Sequence, residues 1–420
     1  QFIDHSPSCF HVIENAKKQF LEHGFIQLEE KEHWNLEEGK SYFVERNGSS
    51  MIAFHLPKKD FQGFHIVASH SDSPTYRIKE QPEMSVEKHY TKLNIERYGG
   101  MIPETWFDRP LSVAGRIIIE ENGQIKDQLV NIDRDLMIIP NLAIHMSRSS
   151  NESKQLNPQK DLLPLCGGNL TKDGFEEMIA KESGVEKEDI LSYDLFLYNR
   201  MRGTTLGINE EFVAAPKLDD LECAYSSIEG MLNAKLSEDY VTVCAVFDNE
   251  EVGSGTKQGA GSTFFTEVLK RISYLCGKNE EEYYMAVADS FMLSADNAHA
   301  VHPNYQDKTD PTNRPYINEG IVLKYNASQK YTTDANSAAL VKYLCKKEKI
   351  KCQVFFNRSD MLGGSTLGNI LTGQVSIKAA DIGLPQLSMH STYETAGCKD
   401  LDDMITLMGS FYELGKEVQI

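Results

Sequence analysis

The stretch Val241–Gly255, VTVCAVFDNEEVGSG, is an apolar run that stops on acids. A near-continuous run of this kind reads as a strand covered on both faces, as in a parallel sheet. Its end delivers Asp248, Glu250 and Glu251 to one edge, and Gly253 and Gly255 follow in a turn. In open α/β sheets, ligands sit outside the carboxyl ends of strands. Adjacent glutamates at a buried edge repel and are hard to desolvate. A cation resolves both problems. The competing reading is a solvated acidic loop, common in a chain with 62 acidic residues.

The same pattern extends outward. A helix is expected over 222–236 before this strand, and another over GSTFFTEVLKRISYLC after it. YYMAVADS reads as a further buried strand, NSAALVKYLCKKEK as a helix, CQVFFN as a strand and LDDMITLMGSFYELGKEV as a closing helix. Upstream, SPSCFHVIENAKKQFLEHGF reads as a helix opened by Ser-Pro and ended near Gly24. SYFVER, MIAFHL and GFHIVAS read as strands. Strands alternating with helices imply an α/β sandwich with a mostly parallel sheet. The stretch 84–200 differs: RIIIE, QIKDQLVNI and LSYDLFLYN look antiparallel, around a polar stretch at 150–162. It is expected to be an inserted β-rich domain, leaving 1–83 plus 201–420 as a discontinuous catalytic domain.

The chain of 420 residues is long enough for two domains. Its net charge of -19 argues against nucleic-acid binding. No apolar run is long enough to span a bilayer, and the start, at Gln1, lacks a secretory pattern and reads as trimmed. Eight scattered cysteines without a CxxC suggest reduced thiols, so a cytoplasmic location is expected.

Other residues carry the same chemistry. VASHSDSP ends a strand with His70 and Asp72, which point the same way from an extended chain. APKLDDLECA places Asp219 and Asp220 at a helix start, where an ordinary N-cap is the simpler reading. SADNAHAVHPNY supplies Asp296, His299 and His302, and LSMHSTYETAG supplies His390 and Glu394. His70, Asp219, Glu251, Asp296 and His390 all fall near strand ends or helix starts. Two imidazoles with three carboxylates suit a pair of divalent ions such as zinc. Metal-assisted hydrolysis also needs a base that is not a ligand, and Glu250 beside Glu251 offers one glutamate for each task.

With these residues assembled, the sequence resembles the aspartyl aminopeptidase family of dinuclear metallopeptidases. The likeness runs over nearly the whole chain, through SPSCFH, SHSDSP, TWFDRPLSVAGR, IPNLAIHM, PKLDDL, FDNEEVGS, SADNAHAVHPNY, DMLGGSTLG and SMHSTYE. The resemblance implies His70 and Asp296 on one metal, Asp219 bridging, and Glu251 with His390 on the other. It implies Glu250 as general base on water activated between the metals, and Asp72 as a catalytic carboxylate that orients His70 or polarises the site. Asp289, in VADS, is a rival to Asp296, set aside because the family motif falls on SAD.

The resemblance further implies two divalent ions, zinc foremost with manganese or cobalt as alternatives. It implies a tetrahedral dodecamer built from dimers through the β-rich domain, with His145 reaching a neighbouring subunit's active site. Lys324 matches a lysine associated with an acidic substrate side chain, and Tyr331 would line the same pocket. The implied reaction is hydrolysis of the N-terminal residue of peptides, with preference for Asp or Glu. A neutral-residue aminopeptidase or an N-acyl amino acid deacylase on the same scaffold are the alternatives. Two departures stand out. LDDL replaces the common LDNL, adding the charge of Asp220, and DMLGGSTLGNI replaces CGSTIGPI, which bears on substrate preference.

Overall fold

A computed structural model describes residues 1–148, 155–169 and 173–418, so residues 150–154 of the polar stretch lie outside it. Its frame is a nine-stranded mixed sheet. At the centre Val241–Phe247, Phe64–His70, Phe291–Ala295 and Lys378–Gly383 run parallel in that order. Every residue of the first three is buried. Alternate side chains feed two separate cores. Val67, Cys244 and Val246 face helices Cys9–Glu22, Leu218–Asn233, Ala335–Glu348 and Cys398–Tyr412. Ile66, Ala68, Val243 and Ala245 face helices Phe264–Leu275, Glu280–Ala288 and Leu367–Gln374. Burial on both faces is why these strands read as continuous apolar runs.

The expected strand YYMAVADS is a helix, Glu280–Ala288. Its start carries a reciprocal cap. Asn279 accepts the Glu282 amide at 3.0 Å, and Glu282 accepts the Asn279 amide at 2.7 Å. Three glutamates in the first turn suit the helix dipole. The strand is the next apolar run, Phe291–Ala295. Asp296 therefore follows that strand's carboxyl end. Asp289 caps the helix at the opposite end and accepts the Tyr240 hydroxyl.

A second sheet, six-stranded and antiparallel, has its own core, which includes Tyr76, Leu93, Leu111, Val113 and Leu195. It takes in Thr75–Val86, which crosses residue 84, and ends with Ile190–Asn199. A third sheet of five short strands contains Phe212–Ala215 and Glu394–Gly397. No helix among the described residues is long and apolar enough to cross a membrane.

His65 gives this core a measurable acid limit. Its ring stacks 4.0 Å from Tyr240 and lies 5.1 Å from Phe411. Burial lowers its pKa from 6.5 to about 3. The folded value lies below the unfolded one, so this stability is present above pH 6.5 and is lost as pH falls toward 3. The slope is about 1.4 kcal/mol per pH unit. His65→Phe is expected to flatten the fall in melting temperature between pH 6.5 and 4. A fall as steep as in the wild type would show that other groups govern acid unfolding.

Candidate metal centre

The carboxyl ends of three adjacent parallel strands deliver His70, the Glu250–Glu251 turn and Asp296 to one edge. Asp219 and Asp220, joined by a cis peptide, enter at the start of helix Leu218–Asn233 with non-helical backbone. His390 arrives from a left-handed turn with φ 65°. The ligating atoms fall into groups, each within 4.8 Å of one another: His70, Asp219, Asp220 and Asp296; Asp219, Glu251 and His390; His70, Glu250 and Glu251. Asp219 belongs to the first two. Its Oδ1 lies 3.6 Å from His70 Nε2 and its Oδ2 lies 3.2 Å from His390 Nε2. His390 Nε2 is also 3.4 Å from Glu251 Oε1.

Charge is badly balanced among these groups. Burial, with Asp296, Asp72 and Asp219 close by, pushes the Glu250 carboxyl up to about 8. Burial pushes Asp296 up to about 6 and holds Asp220 and Glu251 well above the usual carboxylate range. Burial opposes ionisation of Asp219 too, but the neighbouring His390 and His70 imidazoles hold it below that range. Asp219 Oδ1, Asp220 Oδ1 and Glu251 Oε1 are fully buried with no hydrogen-bond partner among the described residues. Orphaned buried carboxylate oxygens beside two imidazoles are the donor set divalent zinc takes. The residues fit the implied ions.

Asp72 organises one side. Its carboxylate accepts the Tyr98 hydroxyl at 2.6 Å and the amides of Glu250 and Glu251, each at 3.1 Å. Its Oδ1 is 3.3 Å from His70 Nδ1. Tyr98 closes the antiparallel strand Tyr90–Tyr98, so the second sheet reaches the centre. Gly99 follows with φ 77°, and a Cβ there would meet the Glu251 Cβ at 3.1 Å. Asp220 Oδ2 accepts the His70 amide at 3.1 Å. Tyr98 carries no sequence signal for its part, whereas the Asp-Asp pair was visible as an extra charge.

A cleft of about 320 Å³ opens on this edge, lined also by His299, Lys324, Tyr331 and Phe355. Gly364, Ser365 and Thr366, from the loop that departs from the family pattern, form part of its wall. Lys324 is 2% exposed. Its ammonium donates to the carbonyls of Asp296 at 2.7 Å and Asn297 at 3.3 Å, 3.8 Å from Asp296 Oδ2 and 5.1 Å from the Tyr331 ring centre. His145 lies away from this cleft, exposed on the turn Ile144–Met146. Asp248 lines a separate cavity, and His302 takes no part in the ligand groups.

A family model described as aminopeptidase I zinc metalloprotease (M18) matches residues 2–412. The chain is 45% identical to the probable M18 family aminopeptidase 2 of Clostridium acetobutylicum over 426 residues, 98% of this chain and 97% of the relative. It is 37% identical to the protein of the same description from Pseudomonas aeruginosa, over 98% of this chain and 96% of the relative. A cryo-EM structure of the Ape4 and Nbr1 complex superposes with TM-score 0.95 at 37% identity, covering 98% of this chain and 84% of that one. The S. cerevisiae mApe1 dodecamer superposes with TM-score 0.87 at 28% identity, covering 98% and 94%.

Proposed function

The chain belongs to the M18 family of zinc metalloproteases and is a metal-dependent aminopeptidase, and from that premise we propose that it removes N-terminal Asp or Glu from peptides with two divalent ions. The observation that carries the two-ion reading is Asp219, which is shared by both ligand groups. His70, Asp219 and Asp296 would hold one ion, and Asp219, Glu251 and His390 the other. Zinc is the expected metal, with manganese and cobalt as substitutes. When bound, the ions supply Lewis acidity at the scissile carbonyl and acidify water.

The chain's own residues do the rest. Glu250 lines the cleft beside the ligands. It accepts a proton from the attacking water and passes it to the leaving amine. Asp72 holds the amides of Glu250 and Glu251 and faces the His70 ring, so the base and one ligand share a support. Tyr331 packs against Lys324 at the cleft wall.

An ammonium has three donors, and two carbonyls take two of those on Lys324. The third would serve an acidic substrate side chain, in competition with the Asp296 carboxylate 3.8 Å away. Truncating one partner of such a buried charge pair costs about 2–5 kcal/mol. Lys324→Met is therefore expected to lower the ratio of Asp-peptide to Leu-peptide kcat/KM by more than tenfold. Both rates should also fall, because the Asp296 and Asn297 carbonyls lose their donor. An unchanged ratio would make Lys324 a support for Asp296 alone. Its engagement with those carbonyls favours the second reading, a neutral-residue aminopeptidase; a wild type that prefers Leu or Met would establish it.

We further propose a homo-dodecamer built from dimers through the β-rich unit, placed by sequence at 84–200. A mApe1 structure is described as a dodecamer. His145 sits among exposed Leu142, Ile144 and Met146, an apolar turn suited to reaching a second copy's cleft. The eight cysteines are all free, which suits a reducing compartment such as the cytoplasm.

A further inference from the structure

Glu394 lies in the same buried cluster and touches the backbone of two of its members. Its Oε2 accepts the amide of Asp219 at 3.0 Å, and its Oε1 accepts the amide of His390 at 2.7 Å. The residue is 2% exposed and opens the short strand Glu394–Gly397. Asp219 stands in the first turn of its helix, where amides have no partner within the helix. His390 stands in a turn at positive φ. The Asp219 amide is buried and the His390 amide partly so, and one carboxylate accepts from both. The two side chains that follow from these backbones meet at 3.2 Å.

We infer that Glu394 is a positioning residue that clamps the Asp219 and His390 backbones in the register one ion requires. It does not touch substrate. Zinc ligands must approach to about 2.0–2.2 Å, so a small slip of either backbone withdraws a ligand. A polar layer keeps the clamp in place. Gln386 sits on the neighbouring strand, paired with Ala396. Its Oε1 accepts from Asn297 at 2.8 Å, and Asn297 also donates to the Leu218 carbonyl at 3.0 Å and to Glu222 at 3.2 Å. Asp72 makes the matching arrangement on the other side, holding the amides of Glu250 and Glu251. Each of two buried carboxylates thus fixes a pair of backbones that carry the chemistry.

The inference rests on the two-ion reading, and the test separates the two. Glu394→Gln keeps the shape but turns a donor toward one of the amides. Zinc affinity would be measured by chelator competition on the full-length protein, alongside kcat, KM and the melting temperature of the metal-free form. One ion is expected to loosen by about 10–100-fold, the other by only a few-fold. The kcat should fall at limiting zinc and recover in excess zinc with KM unchanged, while the metal-free protein melts only slightly below the wild type, the cost of the one amide left without an acceptor. Glu394→Asp keeps the charge but shortens the reach, and should give an intermediate loss. Wild-type affinity for both ions in both variants would overturn the clamp. So would an equal loosening of both ions with a strongly lowered melting temperature, which marks a general packing role. A wild type that takes up one ion would overturn the two-ion reading, and the clamp would then stand or fall on whether Glu394→Gln weakens that ion.

Discussion

Glu250→Gln is expected to lower kcat by at least about 10²-fold, the lower end for loss of a positioned general base, while the protein keeps its metal. Glutamine has the shape of glutamate and cannot take the water's proton. The backbone of residue 250 stays where it is, because Asp72 grips its amide rather than its side chain. The ligand groups containing Asp219 do not include Glu250, so they remain complete. Metal analysis of the purified variant decides the role. The third group, His70 with Glu250 and Glu251, makes ligation by Glu250 the concrete alternative. Loss of metal together with activity would assign Glu250 as a ligand and leave the base to be found elsewhere.

Asp219→Ala is expected to remove both ions and reduce peptide hydrolysis to background. Asp219 is the residue that the groups around His70 and around His390 share. Without it, the remaining carboxylates face one another across an unneutralised site, where burial already disfavours their ionised forms. Lewis-acid stabilisation worth several kcal/mol goes with the ions, and each 1.4 kcal/mol is about tenfold in rate. His390→Ala should lose one ion and keep the other. Elemental analysis after dialysis against limiting zinc distinguishes the two variants. An Asp219→Ala protein that retains one tightly held ion would show two independent sites rather than a bridged pair.

The residues proposed to carry the chemistry were legible because their signals are local. A strand buried on both faces leaves a continuous apolar run, and the polar residue that ends it stands at the sheet's edge. That rule puts His70, Glu250 and Glu251 at the sheet's edge, their proposed roles came from the family resemblance, and the α/β architecture follows from the alternation around them. Periodicity failed at YYMAVADS, where an apolar run suits a helix as well as a strand. The cap formed by Asn279 and Glu282 decided for helix and moved the strand to Phe291–Ala295. The position of Asp296 survived that error because both readings end before it.

What only the tertiary structure decided is how the reactive side chains are held. The pairing of the Glu394 carboxylate with the amide of Asp219 joins residues far apart in the chain, and an amide looks the same at every position in a sequence. Tyr98 meets Asp72 only because the antiparallel sheet packs against the strand edge. Lys324 could be read as a charge, but its attachment to two carbonyls beside Asp296 depends on the pairing of Ile321–Lys324 with Lys378–Gly383. Side-chain chemistry is written residue by residue, so the sequence by itself pointed to the ionisable residues proposed for this site. Hydrogen bonds to the backbone carry no residue signature, so the fold alone determined how it is held together.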